Sequence, residues 1–209
     1  MPGQGSGRDP SRHTARGAAT RDRIVATTAD LMHRQGVAAT TLDQVVDTCD
    51  VSKSQPYHYF PDKEALVAEV IAVQANRVLS AQKQLLEQVR SMRELEKWRD
   101  ALVANLGMAG YRCPVGSPAT ELAGRSDSAR RTLSGAFGTW TGDVASAFVR
   151  LQESGELRSG AVTEDLALEV VAALQGGYLL AETMQDEQPF VLALDMALGW
   201  VKAHAGEDR

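Results

Sequence analysis

Apolar residues recur at helical spacing along most of this chain, and no stretch alternates strictly as a strand would. The pattern predicts a first helix from about residue 18 to 35, which Gly36 would end. Two short helices follow within residues 40–60. Longer helices are then predicted over residues 63–90, 94–109, 127–154, 163–185 and 189–202, with a short helix over residues 119–124. The chain is therefore expected to be all-α.

The two short helices are predicted to flank a tight turn. Thr41, with Gln44 three residues later, has the spacing of a capping box, and Ser52 with Gln55 repeats that spacing before the second helix. The second helix carries polar and aromatic side chains that bond to phosphates and base edges rather than fill a core. This order is typical of a helix-turn-helix with its recognition helix.

The candidate DNA-binding residues lie on or beside these two helices. They are Thr40, Thr41, Ser52, Lys53, Ser54, Gln55, Tyr57, His58, Tyr59 and Lys63. An exposed helix start would also direct backbone N–H groups at phosphate. Asp62 is placed to cap the next helix.

This stretch resembles the N-terminal domain of TetR-type transcriptional repressors. The elements that carry the likeness occur in order between about Arg21 and Val70, and they are Gly36, Thr40-Thr41, Val51-Ser52, Tyr57-His58-Tyr59-Phe60 and Lys63-Glu64-Ala65-Leu66. The resemblance implies an all-α repressor with an N-terminal helix-turn-helix domain and a C-terminal helical domain. A helical hairpin with a polar face would explain the helices, but it would not explain the aromatic cluster followed at once by Pro-Asp-Lys-Glu.

Pro56 departs from the family pattern, which usually has Leu or Ile at this position. If Ser52 is the N-cap, Pro56 occupies the fourth helical position, where it removes a backbone hydrogen bond and disfavours helical geometry at Gln55. If the helix starts at Pro56, the proline has its preferred first position and the helix is a turn shorter. The residues alone leave both alternatives open.

The 209 residues give room for a DNA-binding unit of about 60 residues and a larger second domain. Residues 1–17 are expected to be a disordered arm. The resemblance implies that residues 18–63 are the helix-turn-helix domain and residues 64–209 the ligand-binding and dimerisation domain. The arginines of the arm would either enter an adjacent minor groove or only tune affinity from a solvated tail, and we favour the tail. They are Arg8, Arg12 and Arg16.

The net charge of −5 is unevenly distributed along the chain. Residues 1–63 hold eight Lys and Arg against seven Asp and Glu, whereas residues 64–209 hold fourteen against twenty. The positive charge thus lies where phosphates would lie, and the acidic remainder would repel DNA and orient the protein.

The last two predicted helices are the most apolar. Residues 163–185 are apolar on more than one face and contain Gly176-Gly177, and residues 189–202 are apolar nearly all round. A helix of this kind must be covered on both sides, so a homodimer through these helices is predicted. A thick monomeric core is the alternative. Leu194 and Leu198 are expected to lie in the subunit contact.

A weaker resemblance covers the C-terminal part, to the LmrA/YxaF-like branch of TetR-type repressors. The segments that carry it are Cys113-Pro114-Val115-Gly116-Ser117, Gln175-Gly176-Gly177 and Ala193-Leu194-Asp195-Met196-Ala197-Leu198. In that branch the last two helices form the dimer and the middle helices enclose an inducer pocket. The resemblance implies release from a pseudo-palindromic operator by a small, often aromatic or drug-like compound.

The candidate ligand-binding residues share aromatic, Met or amide chemistry, which suits a mostly apolar pocket with few polar groups. They are Trp98, Asn105, Met108, Tyr111, Phe137, Trp140, Gln175 and Tyr178. Plain core packing is the competing interpretation for each. Arg112 would be either a pocket anchor or a helix cap.

Other classes of function find less support in the sequence. It contains no Gly-rich phosphate loop, no HExxH motif and no Cys/His set at metal spacing, so neither enzyme activity nor a cofactor is expected. A helical small-molecule carrier, or an enzyme using Cys113 with a base brought near by folding, is the alternative. No apolar run approaches the roughly 18 residues of a membrane span. Cys49 and Cys113 form no disulfide framework, so a cytoplasmic protein is expected.

Overall fold

The computed structural model describes the backbone of residues 10–206, with the side chains of residue 15 and of residues 17–106 and 110–206. Between residues 10 and 206 the chain forms nine helices. They are α1 Pro10–Gln35, α2 Leu42–Cys49, α3 Gln55–Tyr59, α4 Lys63–Leu86, α5 Met92–Ala109, α6 Gly116–Leu122, α7 Asp127–Glu153, α8 Thr163–Met184 and α9 Gln188–Lys202. An isolated antiparallel bridge joins Leu157 and Ala205. The all-α prediction is confirmed.

Local signals explain the helix ends near the N-terminus. Gly36 ends α1 with a left-handed φ of 85°, and its N–H donates to a carbonyl of the last turn at 2.9 Å. Thr41 and Gln44 form the predicted capping box at the start of α2. Asp62 caps α4, since its Oδ1 accepts a hydrogen bond from the Ala65 N–H at 2.8 Å.

The start of α1 was predicted too late. The helix begins at Pro10 rather than near residue 18. Proline suits a helix start, because the first helical N–H groups have no partner within the helix. The expected disorder of residues 1–9, which include Arg8, lies outside the described residues, and so do the side chains of Arg12 and Arg16.

The chain divides into two compact units between Val70 and Ile71, within α4. We call the described residues 10–70 the head and residues 71–206 the body. The boundary expected after residue 63 corresponds to the start of α4. Apolar spacing and caps predict the order of the helices, but they do not mark where one compact unit ends.

The body is built around α8, which packs against α7 and α9, while α6 packs on α7 and α5 on α9. Its largest fully buried side chains include Trp98, Trp140, Phe148 and Phe190. Gly177 explains how α8 and α9 pack so closely, because a Cβ there would lie 3.0 Å from the Phe190 Cα. Among the described residues, no helix is long and apolar enough to cross a bilayer.

Candidate nucleic-acid interface and ligand site

The short helix α3 begins at Gln55, and Ser54 is its N-cap. Pro56 is buried in the first turn of the helix, where a missing N–H costs no helical hydrogen bond. Its carbonyl accepts a hydrogen bond from the Phe60 N–H at 2.8 Å. Of the two alternatives for Pro56, the structure therefore has the shorter helix, which starts one residue before the proline.

The turn between α2 and α3 is held by backbone geometry and one side chain. Asp50 adopts the left-handed conformation with φ of 52°, and the Val51 N–H donates to the Val46 carbonyl at 3.3 Å. The Gln55 Oε1 accepts a hydrogen bond from the Ser52 N–H at 3.3 Å. Only half of the predicted second capping box forms, because the helix starts after Ser54 rather than after Ser52.

The predicted DNA-binding residues fall into two groups by exposure. The exposed ones are Thr41, Ser52, Lys53, Ser54, Tyr57 and His58. Tyr57 is 59% exposed although it is aromatic, and Lys53 makes only an exposed ion pair of 3.9 Å with Asp43. An exposed pair contributes little, so the Lys53 ammonium is accessible to phosphate.

The remaining members of that set have partners within the head. Thr40 is buried, and its hydroxyl donates to the Gly36 carbonyl at 2.8 Å. The Lys63 Nζ donates to the Val37 carbonyl at 3.4 Å. Tyr59 is half-buried and contacts His58 ring to ring, with centroids 5.1 Å apart. These side chains support the site more than they present a surface.

Arg21 supports the same region and was missed by the sequence reasoning. Its guanidinium pairs with Glu69 at 2.7 Å and lies over the Phe60 ring, 5.4 Å from the centroid. Phe60 ends α3, so Arg21 connects α1 with the end of the recognition helix. No local motif marks Arg21, because its contacts are made with residues far along the chain.

In the body, the segment before α6 lies against α8. Cys113 is buried, which raises the pKa of its thiol, and the Gly116 N–H donates to its Sγ at 3.2 Å. A Cβ at Gly116 would collide with the Gln175 Oε1. Burial also raises the pKa of Tyr178, whose ring contacts Phe190 at 4.5 Å. The predicted residues Gln175 and Tyr178 therefore line one face of α8.

Three tryptophans lie in the described part of the body, and they differ in their hydrogen bonds. The buried Trp98 Nε1 donates to the Gln82 Oε1 at 2.7 Å and so joins α5 to α4. The Trp200 Nε1 donates to the Glu169 Oε2 at 2.7 Å. The buried Trp140 Nε1 has no partner among the described residues. Trp98 is thus a satisfied core residue, whereas Trp140 keeps a free donor.

The other predicted pocket residues are dispersed. Asn105 is exposed, Tyr111 and Phe137 are half-buried, and the side chain of Met108 lies outside the described residues. Arg112 pairs with Glu182 of α8 at 2.6 Å, so it links this segment to α8.

An apolar surface covers one side of the last two helices. Its members are Leu168, Leu179, Leu180, Met184, Leu192, Met196 and Trp200, each half or more exposed. We call this set the α8–α9 face. Leu192, Met196 and Trp200 recur every four residues and so form one stripe of α9. Leu194 and Leu198, expected in a subunit contact, are instead buried within the protomer, 0% and 4% exposed.

The head and body together define a helix-turn-helix transcriptional regulator with a helical second domain. Residues 24–70 match the family model of bacterial regulatory proteins of the tetR family. Residues 86–196, more than half of the chain, match the model described as transcriptional regulator LmrA/YxaF-like, C-terminal domain. The chain belongs to the TetR family of DNA-binding transcriptional regulators, in its LmrA/YxaF-like branch. This is a family of regulators and not of enzymes, as expected from the absence of catalytic motifs.

Relatives with curated descriptions agree with this assignment. The HTH-type transcriptional regulator YxaF of Bacillus subtilis (strain 168) is 28% identical over 185 residues, which cover 86% of this chain and 93% of that protein. The HTH-type transcriptional repressor DhaR of Mycobacterium sp. (strain GP1) is 23% identical over 171 residues, covering 81% and 85%.

Solved structures show the same fold. A TetR transcriptional regulator from Chloroflexus aurantiacus has a TM-score of 0.81 at 20% identity and covers 92% of this chain and 98% of its own. The reduced form of Escherichia coli NemR has a TM-score of 0.75 at 21% identity, covering 90% and 97%.

Proposed function

We propose that this protein is a cytoplasmic repressor that binds a pseudo-palindromic operator as a homodimer and is released by a small, aromatic or drug-like molecule. The observation that carries the proposal is the coexistence of an exposed polar recognition helix in the head and an exposed apolar face on α8 and α9. Each surface requires a different kind of partner.

The head supports the DNA-binding half of the proposal. Tyr57 and His58 project from α3 into solvent, while the buried Pro56 holds the helix on the head. Hydroxyl, amide and imidazole groups bond to base edges, and Lys53 would neutralise a phosphate. We propose that α3 enters the major groove with these side chains foremost.

The α8–α9 face supports the dimer. Seven large apolar side chains exposed on two helices that pack together are typical of a protein contact. Two recognition helices about 34–36 Å apart would then occupy successive major grooves of a two-fold operator. Leu194 and Leu198 are buried within the protomer, whereas Leu192 and Met196 on the opposite side of α9 are exposed. We therefore propose that the exposed side of α9 forms the subunit contact.

Release by a ligand follows from differential affinity. A ligand that binds the body better in the DNA-free arrangement shifts the population away from the operator. We propose that α4, which is continuous between head and body, couples the two sites. The coupling in such systems is typically about 1–3 kcal/mol.

Titration of operator DNA at several salt concentrations tests the proposal. The DNA upstream of the gene that encodes the chain provides the candidate operator, and a shuffled duplex of equal length provides the comparison. We expect tighter binding of the upstream duplex. Lys53→Ala should weaken binding to both duplexes and lower the salt slope by about one.

Lys97→Ala is the matched control, because Lys97 is exposed on α5 in the body. It should leave both affinity and salt slope unchanged. Equal binding of the two duplexes by the wild type, or equal slopes for Lys53→Ala and wild type, would contradict the proposed interface.

A further inference from the structure

Two buried donors in the body lack acceptors within the described residues, and they are the Trp140 Nε1 and the Gln175 Nε2. Trp140 is 1% exposed, so water does not reach its indole from outside the protein. An unsatisfied buried donor costs about 1–3 kcal/mol, and folded proteins retain one mainly where a function or a bound molecule explains it. Each of these two donors therefore needs an acceptor that the described residues do not supply.

The two donors lie at the same level of a helical hairpin. Trp140 is thirteen residues before the end of α7, and Gln175 is twelve residues after the start of α8. The two consecutive helices pack against each other and are joined by residues 154–162, so they run in opposite directions. At 1.5 Å per residue, both donors are roughly 18–20 Å from the connection.

The amide of Gln175 lies against the segment that leads into α6. Its Oε1 lies against Gly116, where even a Cβ would collide with it. The Gln175 side chain interacts with the Cys113 thiol, but a thiol sulfur is a weak acceptor, so the Nε2 lacks a strong acceptor among the described residues. The Gln175 amide therefore lies beside Gly116 and Cys113 while its donor lacks a strong acceptor.

The surroundings of these donors carry little net charge. Arg112 is paired with Glu182 at 2.6 Å, one turn beyond Tyr178 on the same helix. Burial raises the pKa of Cys113 and of Tyr178, so both remain neutral at physiological pH. A neutral acceptor suits such a site better than a carboxylate or phosphate, which would require a compensating cation.

We infer that Trp140 and Gln175 form the polar anchor of the effector site and together hold one neutral oxygen acceptor, a ketone or amide carbonyl, of an otherwise apolar aromatic ligand. The inference rests on the proposed function and specifies its ligand chemistry. A carbonyl oxygen has two lone pairs and so accepts from both donors at once. Gly116 is part of the site because it leaves room for the amide of Gln175.

The test compares ketones with hydrocarbons of the same shape. The probes are acetophenone with α-methylstyrene, and benzophenone with 1,1-diphenylethylene, in which a methylene replaces the carbonyl oxygen. Binding is followed by the indole N–H signals of ¹⁵N-labelled full-length protein. Trp98 and Trp200 serve as internal controls, because their indoles already donate hydrogen bonds of 2.7 Å.

We expect at least one ketone to bind about tenfold or more tighter than its hydrocarbon partner, the value for loss of one to two buried hydrogen bonds. The Trp140 indole proton should move downfield with the ketone alone, while the Trp98 signal stays in place. Gln175→Leu should remove the ketone preference, whereas Gln84→Leu, a change on the exposed surface of α4, should preserve it.

Equal affinity for ketone and hydrocarbon would overturn the inference. So would no ketone binding up to the solubility limit, or a Trp140 proton already at a hydrogen-bonded shift in the free protein and unmoved by ketone, as a buried water would produce. Operator titrations of the same samples separate the two proposals. Specific DNA binding without ketone preference overturns only this inference, whereas ketone preference without specific DNA binding overturns the proposed function.

Discussion

The head and the body treat polar and apolar side chains in opposite ways. In the head, the buried polar groups Thr28 and Thr40 donate to carbonyls at 2.7 and 2.8 Å, and the exposed residues of α3 are largely polar. In the body, two buried donors lack acceptors among the residues that the structure describes, and large apolar residues of α8 and α9 are exposed. The buried polar groups named in the head have hydrogen-bond partners without DNA. The body has buried donors without described acceptors and exposed apolar side chains.

This difference indicates which unit depends on other molecules for its stability. Polar side chains of an exposed helix are hydrated in water, so their exposure carries no free-energy cost. The head is therefore stable both with and without bound DNA. Exposed leucines and unsatisfied donors both carry a free-energy cost that a partner subunit or a ligand removes. These differences support the proposal that sensing and assembly belong to the body and DNA recognition to the head.

The largest expected effect comes from a charge placed on the α8–α9 face. Met196 is 68% exposed in the protomer, so Met196→Glu should fold but should not dimerise. Sedimentation should show a monomer. Operator affinity should fall by about a hundredfold or more, because one head binds without the second.

Leu85→Glu is the control for this change, because Leu85 is also exposed, 39%, but lies on α4. It should stay dimeric. Leu194→Glu should behave differently again and unfold the protomer, since Leu194 is fully buried. If the Met196→Glu protein were still a dimer, the α8–α9 face would not be the subunit contact, and its exposure would not distinguish the body from the head.

A smaller effect, on the free energy of unfolding, is expected from removing the charge of Arg150 in the body. The Arg150 guanidinium donates to the Leu86 carbonyl at 2.7 Å and to the Val89 carbonyl at 3.3 Å, so it holds the C-terminal end of α4 against α7. Arg150→Met should lower the free energy of unfolding by about 1.5–3 kcal/mol, as charged hydrogen bonds do. Thermal unfolding measures the loss.

Arg93→Met is the comparison, because Arg93 is exposed on α5. Its stability should remain within about 0.5 kcal/mol of wild type. Equal melting temperatures of the two variants would show that the Arg150 contacts do not stabilise the end of α4. The body would then be stabilised by apolar packing alone.

The smallest effect is expected from the capping box in the head. Thr41→Ala removes the hydroxyl that accepts from the Gln44 N–H at 3.2 Å and should destabilise the head by about 1 kcal/mol. Amide hydrogen exchange of α2 reports this loss locally. Thr48→Ala, an exposed change within the same helix, should show little effect, and an equal loss in both would rule out the cap as the cause.

Much of the secondary structure could be predicted from the sequence, because helix ends depend on neighbours a few residues apart. Thr41, Gly36 and Asp62 act through contacts within four residues, and each acts as predicted. The start of α1 was predicted too late because residues 10–17 hold only one glycine, and Pro10 suits the first turn of a helix. The sequence left two alternatives for the start of α3. The structure has the shorter helix, with Pro56 in its first turn.

The sequence by itself determined the class of this protein, its helix order and the chemistry of its recognition helix. Only the tertiary structure decided which side of α9 is buried and which tryptophan keeps a free donor. A helix that is apolar nearly all round carries no periodic signal for its rotation, so Leu194 and Met196 are distinguished by packing on α8 rather than by pattern. Trp98 and Trp140 differ only because Gln82 of another helix reaches one of them, and such long-range pairing is not encoded in local spacing.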